Sequence, residues 1–142
     1  VVHAPAKHLT YWGSSAGAFL EENNQERHPI RTRVPNKDGL TVTMSHSHRA
    51  NEEDYLKDFN VKERIHSGSS LKFCFIAAGK ADMYPRLGTT SEWDTAAGHA
   101  VLSYAGGQMT CLDGTPVVYG KNDIKNPFFV ARGYTIESVE AS

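Results

Sequence analysis

Two cysteines in 142 residues are too few for a disulfide framework, so the chain must hold itself together by burying apolar surface. Cys74 sits inside an apolar run and Cys111 between Thr110 and Leu112, usage that suits a reducing compartment. The expected location is the cytoplasm, with or without peripheral association at the inner membrane. Long hydrophobic stretches are missing too. The longest, Phe73 to Ala78, falls far short of the about 20 residues that a membrane-spanning helix needs. Neither sign of charge dominates, since fifteen Lys and Arg against sixteen Asp and Glu leave a net charge of −1. No overall field therefore draws the protein to nucleic acid or to an anionic membrane, and any anion site must be local. The opening Val1-Val2-His3-Ala4-Pro5-Ala6-Lys7-His8 carries no initiator Met and none of the basic and apolar blocks of a secretory signal. With Val1 and Val2 already reading as strand, the expectation is the C-terminal portion of a longer protein.

The composition that remains, 39% hydrophobic and 22% charged, fits one globular domain with a real core. From Val1 to Phe19, short extended pieces separated by Pro5 and by Gly13-Ser14-Ser15-Ala16-Gly17 predict sheet with tight turns. Glu21 to Asp38 is a polar excursion with one short strand expected around Arg31 to Val34. Leu40 to Met44 alternates and predicts a strand with Leu40, Val42 and Met44 on one face. Ala50 to Phe59 predicts a surface helix, and Val61 to Ile65 the next strand. Leu71 to Gly79 reads as a buried helix with serine at its start and Gly79 at its close. Ala81 to Tyr84 predicts a short strand, Pro85 to Thr90 a loop. Trp93 to Gly107 carries an apolar stripe of Trp93, Ala96, Ala97, Ala100, Val101, Tyr104 and Ala105 at helical spacing, ended by Gly106-Gly107. A hairpin is expected over Met109–Leu112 and Val117–Tyr119, turning at Asp113-Gly114-Thr115-Pro116, and a last strand over Phe128 to Ala131. Strands alternating with single helices predict an α/β layered domain.

Few residues stand out chemically. Lys72 is the lone charge in a buried stretch, where an ammonium must meet an anion or snorkel to an edge. Its place in the first turn after Gly68-Ser69-Ser70 joins backbone N–H groups, a hydroxyl and a cation in one phosphate-binding pattern, although plain serine capping is the commoner use. Asp94, in the first turn of the long helix, complements the helix dipole. It is equally a candidate ligand for a hard divalent cation, steadied by Trp93 beside it. Arg86, in the expected loop before that helix, has the fork that clamps a phosphate. His46 and His48, two residues apart at a strand end, could face one way, but two ligands do not make a zinc site. Surface or substrate contact is the better reading. His99 receives no role.

The strings Gly68-Ser69-Ser70-Leu71-Lys72-Phe73-Cys74, Ala78-Gly79-Lys80-Ala81-Asp82-Met83-Tyr84-Pro85-Arg86 and, above all, Trp93-Asp94-Thr95-Ala96-Ala97-Gly98-His99-Ala100 with Ala105-Gly106-Gly107 resemble the inositol monophosphatase superfamily. Within it, Ser45-x-Ser47-His48 and the Gly-Ser-Ser-Leu-Lys-Phe-Cys string are most similar to the bacterial 3′(2′),5′-bisphosphate nucleotidases. The likeness covers nearly the whole chain, as the C-terminal half of such an enzyme. It implies the layered sheet-and-helix C-terminal lobe of the inositol monophosphatase/sugar phosphatase fold, with the N-terminal lobe and its metal ligands lying outside this chain. The resemblance further implies Mg²⁺-dependent hydrolysis of adenosine 3′,5′-bisphosphate to AMP and phosphate, with the sulfated analogue in range and a place in sulfur assimilation. Asp94 would then be a magnesium ligand. Ser69, Lys72 and Arg86 would hold the phosphate or ribose end that is not cleaved, with His48 beside the nucleoside and His46 fitting almost as well.

One departure is plain. The superfamily takes further metal ligands from an upstream Glu and an Asp-Pro-x-Asp-Gly-Thr segment, whereas none of the seven aspartates here precedes a proline. One carboxylate cannot hold a magnesium cluster, so the chain by itself is expected to be inactive. Two rival readings are an inositol-1-monophosphatase and a non-catalytic nucleotide- or anion-binding lobe.

Overall fold

The computed structural model describes residues 1–47, 50–135 and 137. Two sheets enclose a pair of helices, and a third helix covers the outer face of the second sheet. The first sheet runs β1 (Val2–Ala4), β2 (Leu9–Ser14), β3 (Gly17–Glu22) and β4 (His28–Ile30), all antiparallel and in chain order. Period-two alternation explains its sidedness: Tyr11, Ala18 and Leu20 are buried against the helices, while Trp12 and Phe19 stand opposite each other on the other face. The strand expected around Arg31 to Val34 lies earlier, at His28–Ile30. Beyond it the backbone is committed elsewhere. Thr32 N–H donates to Ala105 O, and Arg33 pairs with Asp82.

The second sheet has five strands in the order β6-β5-β7-β9-β8: β5 (Leu40–Met44), β6 (Val61–His66), β7 (Met83–Arg86), β8 (Gln108–Cys111) and β9 (Phe129–Arg132). β5 pairs in parallel with β6 and β7, and β9 is antiparallel to β7 and β8. Its central strands are buried on both faces. Val42, Met44, Met83 and Val130 pack with Leu56 under α1 (Ala50–Tyr55), while Phe129 and Ala131 point into the larger core with α2 (Leu71–Ala77) and α3 (Glu92–Tyr104). The fold class is the layered α/β arrangement that alternating elements predict.

Four local expectations are corrected. The first helix is α-helical only over Ala50–Tyr55, becomes a 3-10 turn at Leu56–Asp58 and ends before Phe59. The strand expected to stop at Tyr84 continues to Arg86. Pro85 stands opposite Val130 of β9, while on its other side β7 pairs with β5 only at Val42↔Met83, so the ladder has already lapsed beside the proline on that edge. The expected hairpin is replaced by a tight turn in which Cys111 N–H donates to Thr115 O, and β8 takes β9 as its partner. Only the Thr110↔Pro116 bridge remains of the hairpin.

The fourth concerns α3. Its buried face is Thr95, Gly98, Val101 and Leu102, while Trp93 is 70% exposed and Tyr104 lies open. The reason is a close approach. A Cβ on Gly98 would fall 2.5 Å from Phe73 Cδ2, so α2 and α3 touch at the glycine and the aromatic residues turn outward.

Candidate functional site

The parallel strands β5 and β7 end side by side, and a cavity of about 240 Å³ opens beyond their carboxyl ends. This is where α/β sheets characteristically take ligands. Ser45, which follows β5, and Tyr84 and Arg86 from β7 form one wall; Ser69, Lys72 and Phe73 form a second; Thr89, Thr90, Asp94 and Thr95 close the third.

Lys72 is 4% exposed. Its Nζ donates to Ser67 O at 3.2 Å and lies 5.1 Å from the Tyr84 ring centroid, and no carboxylate pairs with it among the described residues. Burial, then the nearby Arg86 charge, lower its pKa from 10.5 to about 8. The Tyr84 hydroxyl is pushed up to about 12, chiefly by burial, and remains protonated. Arg86 donates through Nη1 to Ser45 Oγ at 3.1 Å, and its Nε is buried without a partner among the described residues. The guanidinium lies flat over Gly88, where a Cβ would come within 3.3 Å of its Cζ.

The backbone behind Arg86 is gripped from α1. Glu52, a buried carboxylate, accepts from Leu87 N–H at 3.1 Å, and Asn51 Nδ2 donates to Leu87 O at 3.5 Å. Asp94 Oδ2 accepts from Ser91 N–H at 2.8 Å, which fixes the carboxylate at the start of α3.

Four expected residues, Ser69, Lys72, Arg86 and Asp94, therefore meet around one cavity although they span 25 positions. His48 lies outside the described residues. His46 is exposed, its ring 6.0 Å from that of His66, and does not line the cavity. His99 is hydrogen bonded through Nδ1 to Tyr119 OH at 2.8 Å and packs within the fold.

Three site expectations change. Arg86 stands at a strand end instead of in a loop, which holds its backbone more rigidly. Trp93 does not pack beside Asp94; the Ser91 hydrogen bond supplies the rigidity. The helix behind Ser69 and Ser70 is only seven residues long and Ser70 makes no side-chain cap, so the positive character of the site rests on Lys72 and Arg86.

Sequence reasoning did not single out Tyr84, Thr90, Thr95 or Glu52. Tyr84 and Thr95 lie inside the recognised strings, but nothing in their spacing marks them as cavity walls. Glu52 reads as an ordinary charge on a polar helix face, and only the packing of α1 on β7 buries it.

Lys72, Arg86 and Asp94 thus line one cavity at the carboxyl ends of parallel strands in an α/β domain, the place where such sheets characteristically take ligands. The comparisons give the lineage. Residues 1–137 match the model of the inositol monophosphatase family, and the chain belongs to that family. It is 37% identical over 130 residues to the 3′(2′),5′-bisphosphate nucleotidase CysQ of Escherichia coli K12, covering 91% of this chain and 52% of that one. An uncharacterized protein in the pss 5′ region of Rhizobium leguminosarum bv. phaseoli is 52% identical over 85 residues, 56% of this chain and 90% of the relative. The crystal structure of CysQ from Bacteroides thetaiotaomicron, described as a bacterial member of the family, superposes with a TM-score of 0.76 at 33% identity, over 91% of this chain and 55% of that one. The chain thus spans about half the length of the CysQ proteins it matches.

Proposed function

We propose that the chain is the C-terminal lobe of a 3′(2′),5′-bisphosphate nucleotidase that, as a complete enzyme, hydrolyses adenosine 3′,5′-bisphosphate to AMP and phosphate. The observation that carries the reading is the convergence of Ser69, Lys72 and Arg86 with Asp94 on one cavity. A bisphosphate offers two separate anionic groups. Lys72 and Arg86 hold the one that is not cleaved, leaving the other directed toward Asp94. The CysQ relatives, at 37% identity, support the substrate class more strongly than an inositol-1-monophosphatase reading, for which the inositol monophosphatase of Anabaena sp. PCC 7120 resembles the fold at 21% identity.

The family implies magnesium, which would polarise the scissile phosphoryl group and the attacking water. The described residues do not fit a complete magnesium site. Asp94 is the one carboxylate on the cavity, half engaged with Ser91, and no group of three or more His, Cys, Asp or Glu able to hold a metal occurs among them. The missing ligands belong to an N-terminal lobe outside this chain, and the lobe studied alone binds nucleotide without turning it over. Cytoplasmic location and a part in sulfur assimilation follow from the same reading.

The test is calorimetric titration of adenosine 3′,5′-bisphosphate into the chain without magnesium, paired with a phosphate-release assay with magnesium. Binding that Lys72→Ala abolishes, with no release above background, is the expected result. Unchanged affinity in Lys72→Ala would remove the proposed anion site, and turnover comparable to a full-length CysQ would remove the incomplete-site reading.

A further inference from the structure

Asn126 sits in the irregular segment between β8 and β9, far in sequence from every recognised string, yet it is buried and reaches the third wall of the cavity. Its backbone N–H donates to Thr90 O at 2.9 Å. Its Nδ2 lies 2.9 Å from Ser91 O, 3.0 Å from Thr95 Oγ1 and 3.2 Å from Thr90 Oγ1. A carbonyl can only accept, so the contact to Ser91 O fixes which end of the amide faces the wall: it is the NH₂. One of its two protons serves Ser91 O, and the other falls between the two threonine oxygens.

Asn126 Oδ1 is then left buried without a hydrogen-bond partner among the described residues, and the donors and acceptors on the NH₂ side can be followed one by one. Thr95 Oγ1 accepts from Asn126 and from Tyr119 OH at 3.3 Å, and sends its own proton to Glu92 O at 3.3 Å, within its helix. Its capacity is used inside the protein. Thr90 Oγ1 also accepts from Asn126, but nothing among the described residues accepts its proton. Thr90 lines the same cavity as Lys72, Arg86 and Asp94.

We propose that Asn126 is a positioning residue that fixes the hydrogen-bond polarity of Thr90, so that the Thr90 hydroxyl donates into the cavity to an anionic oxygen of the bound nucleotide. The inference rests on the anion-binding reading above and adds a specificity element to it. Lys72 and Arg86 attract any anion of suitable size, whereas a hydroxyl held as an acceptor on its protein side favours only a hydrogen-bond acceptor on its ligand side. A phosphoryl oxygen satisfies it; a ligand donor placed there leaves two donors facing each other.

Calorimetry with adenosine 3′,5′-bisphosphate tests this on the chain as it stands. Thr90→Val keeps the shape and loses the donor, and is expected to weaken binding about tenfold, while Thr90→Ser, which restores the hydroxyl, stays within about twofold. Asn126→Asp reverses the polarity, because a carboxylate accepts and turns the threonine protons toward itself. It is expected to weaken binding about tenfold in the wild-type background but to add little once Thr90 is valine, since both changes remove the same donor. A role in stability or net charge alone would instead make the two losses multiply, and that result overturns the assignment to Asn126. Should Asn126→Asp fail to fold, the Thr90→Val and Thr90→Ser pair decides. Equal affinity in wild type and Thr90→Val overturns the proposal while leaving the Lys72 site intact. No binding by the wild-type chain removes both.

Discussion

Strand β7 separates two buried charges that are treated in opposite ways. Asp82, just ahead of its first residue, is fully buried and fully satisfied: Arg33 meets it with Nε at 3.0 Å and Nη2 at 3.2 Å, and Thr41 N–H donates at 2.8 Å. That pairing also raises the Arg33 pKa. Lys72, beside the other end, is nearly as buried and has one carbonyl and an aromatic face, with no carboxylate among the described residues. Burying an ion costs several kcal/mol unless partners offset it. The Asp82 end recovers that cost within the fold; at the Lys72 end the described residues do not, and on the proposed reading an anionic ligand would. A buried charge with a complete shell reads as architecture, and one with an incomplete shell is a binding-site candidate.

The contrast can be broken by experiment, beginning with the largest effect. Asp82→Ala removes the shared acceptor of Arg33 and Thr41, and is expected to cost about 3 kcal/mol or more in urea unfolding. A loss under about 1 kcal/mol would mean that this end is no better satisfied than the other.

Gly98→Ala comes next. The new Cβ meets the Phe73 ring at 2.5 Å, so α3 must move off α2 at a cost of about 1–3 kcal/mol, and the wall carrying Lys72 shifts away from Asp94. Nucleotide affinity is expected to fall with stability; an affinity that survives would show that the cavity does not depend on this contact.

Lys72→Met sharpens the comparison because its sign is opposite. It replaces an uncompensated buried cation by an apolar chain of similar length, so stability should hold or rise by about 1 kcal/mol while nucleotide binding disappears. Destabilisation on the scale of Asp82→Ala would refute the assignment of Lys72 to a ligand.

The smallest effect is a pH slope. Lys72 titrates at about 8 in the folded chain against 10.5 for an ordinary lysine, so between those values the unfolded chain binds more protons. The buried charge therefore penalises folding in full below about 8, and the penalty is relieved as pH climbs from about 8 toward 10.5, so stability rises across that interval. Wild type should gain on Lys72→Met in urea midpoint across that interval, while its affinity for adenosine 3′,5′-bisphosphate declines as the ammonium discharges. Parallel midpoint curves for the two proteins would show that Lys72 is not desolvated.

Lys72 was readable before the fold because a lone charge in an apolar run violates local composition, and such violations collect where ligands bind; Asp94 suits a helix start and was marked out by the Trp-Asp-x-Ala-Ala-Gly string instead. Wall residues that break no rule were not readable. Thr90 and Asn126 look like loop residues, Glu52 like a solvated helix charge, and their roles arise from contacts 35 or more positions distant. The exposed Trp93 shows the reverse failure. Counted as part of an apolar stripe, it was turned outward by a contact at Gly98 whose decisive property is the absence of a side chain.

Local alternation and helical spacing determined which segments are strands and helices, and the motif strings determined the family, since both depend on residues near one another in the chain. The tertiary structure decided the rest: the partner of β8, the buried face of α3, and which hydroxyls and cations share a cavity. Those choices turn on steric fit and on the pairing of buried donors and acceptors, which exist only once distant segments are brought together.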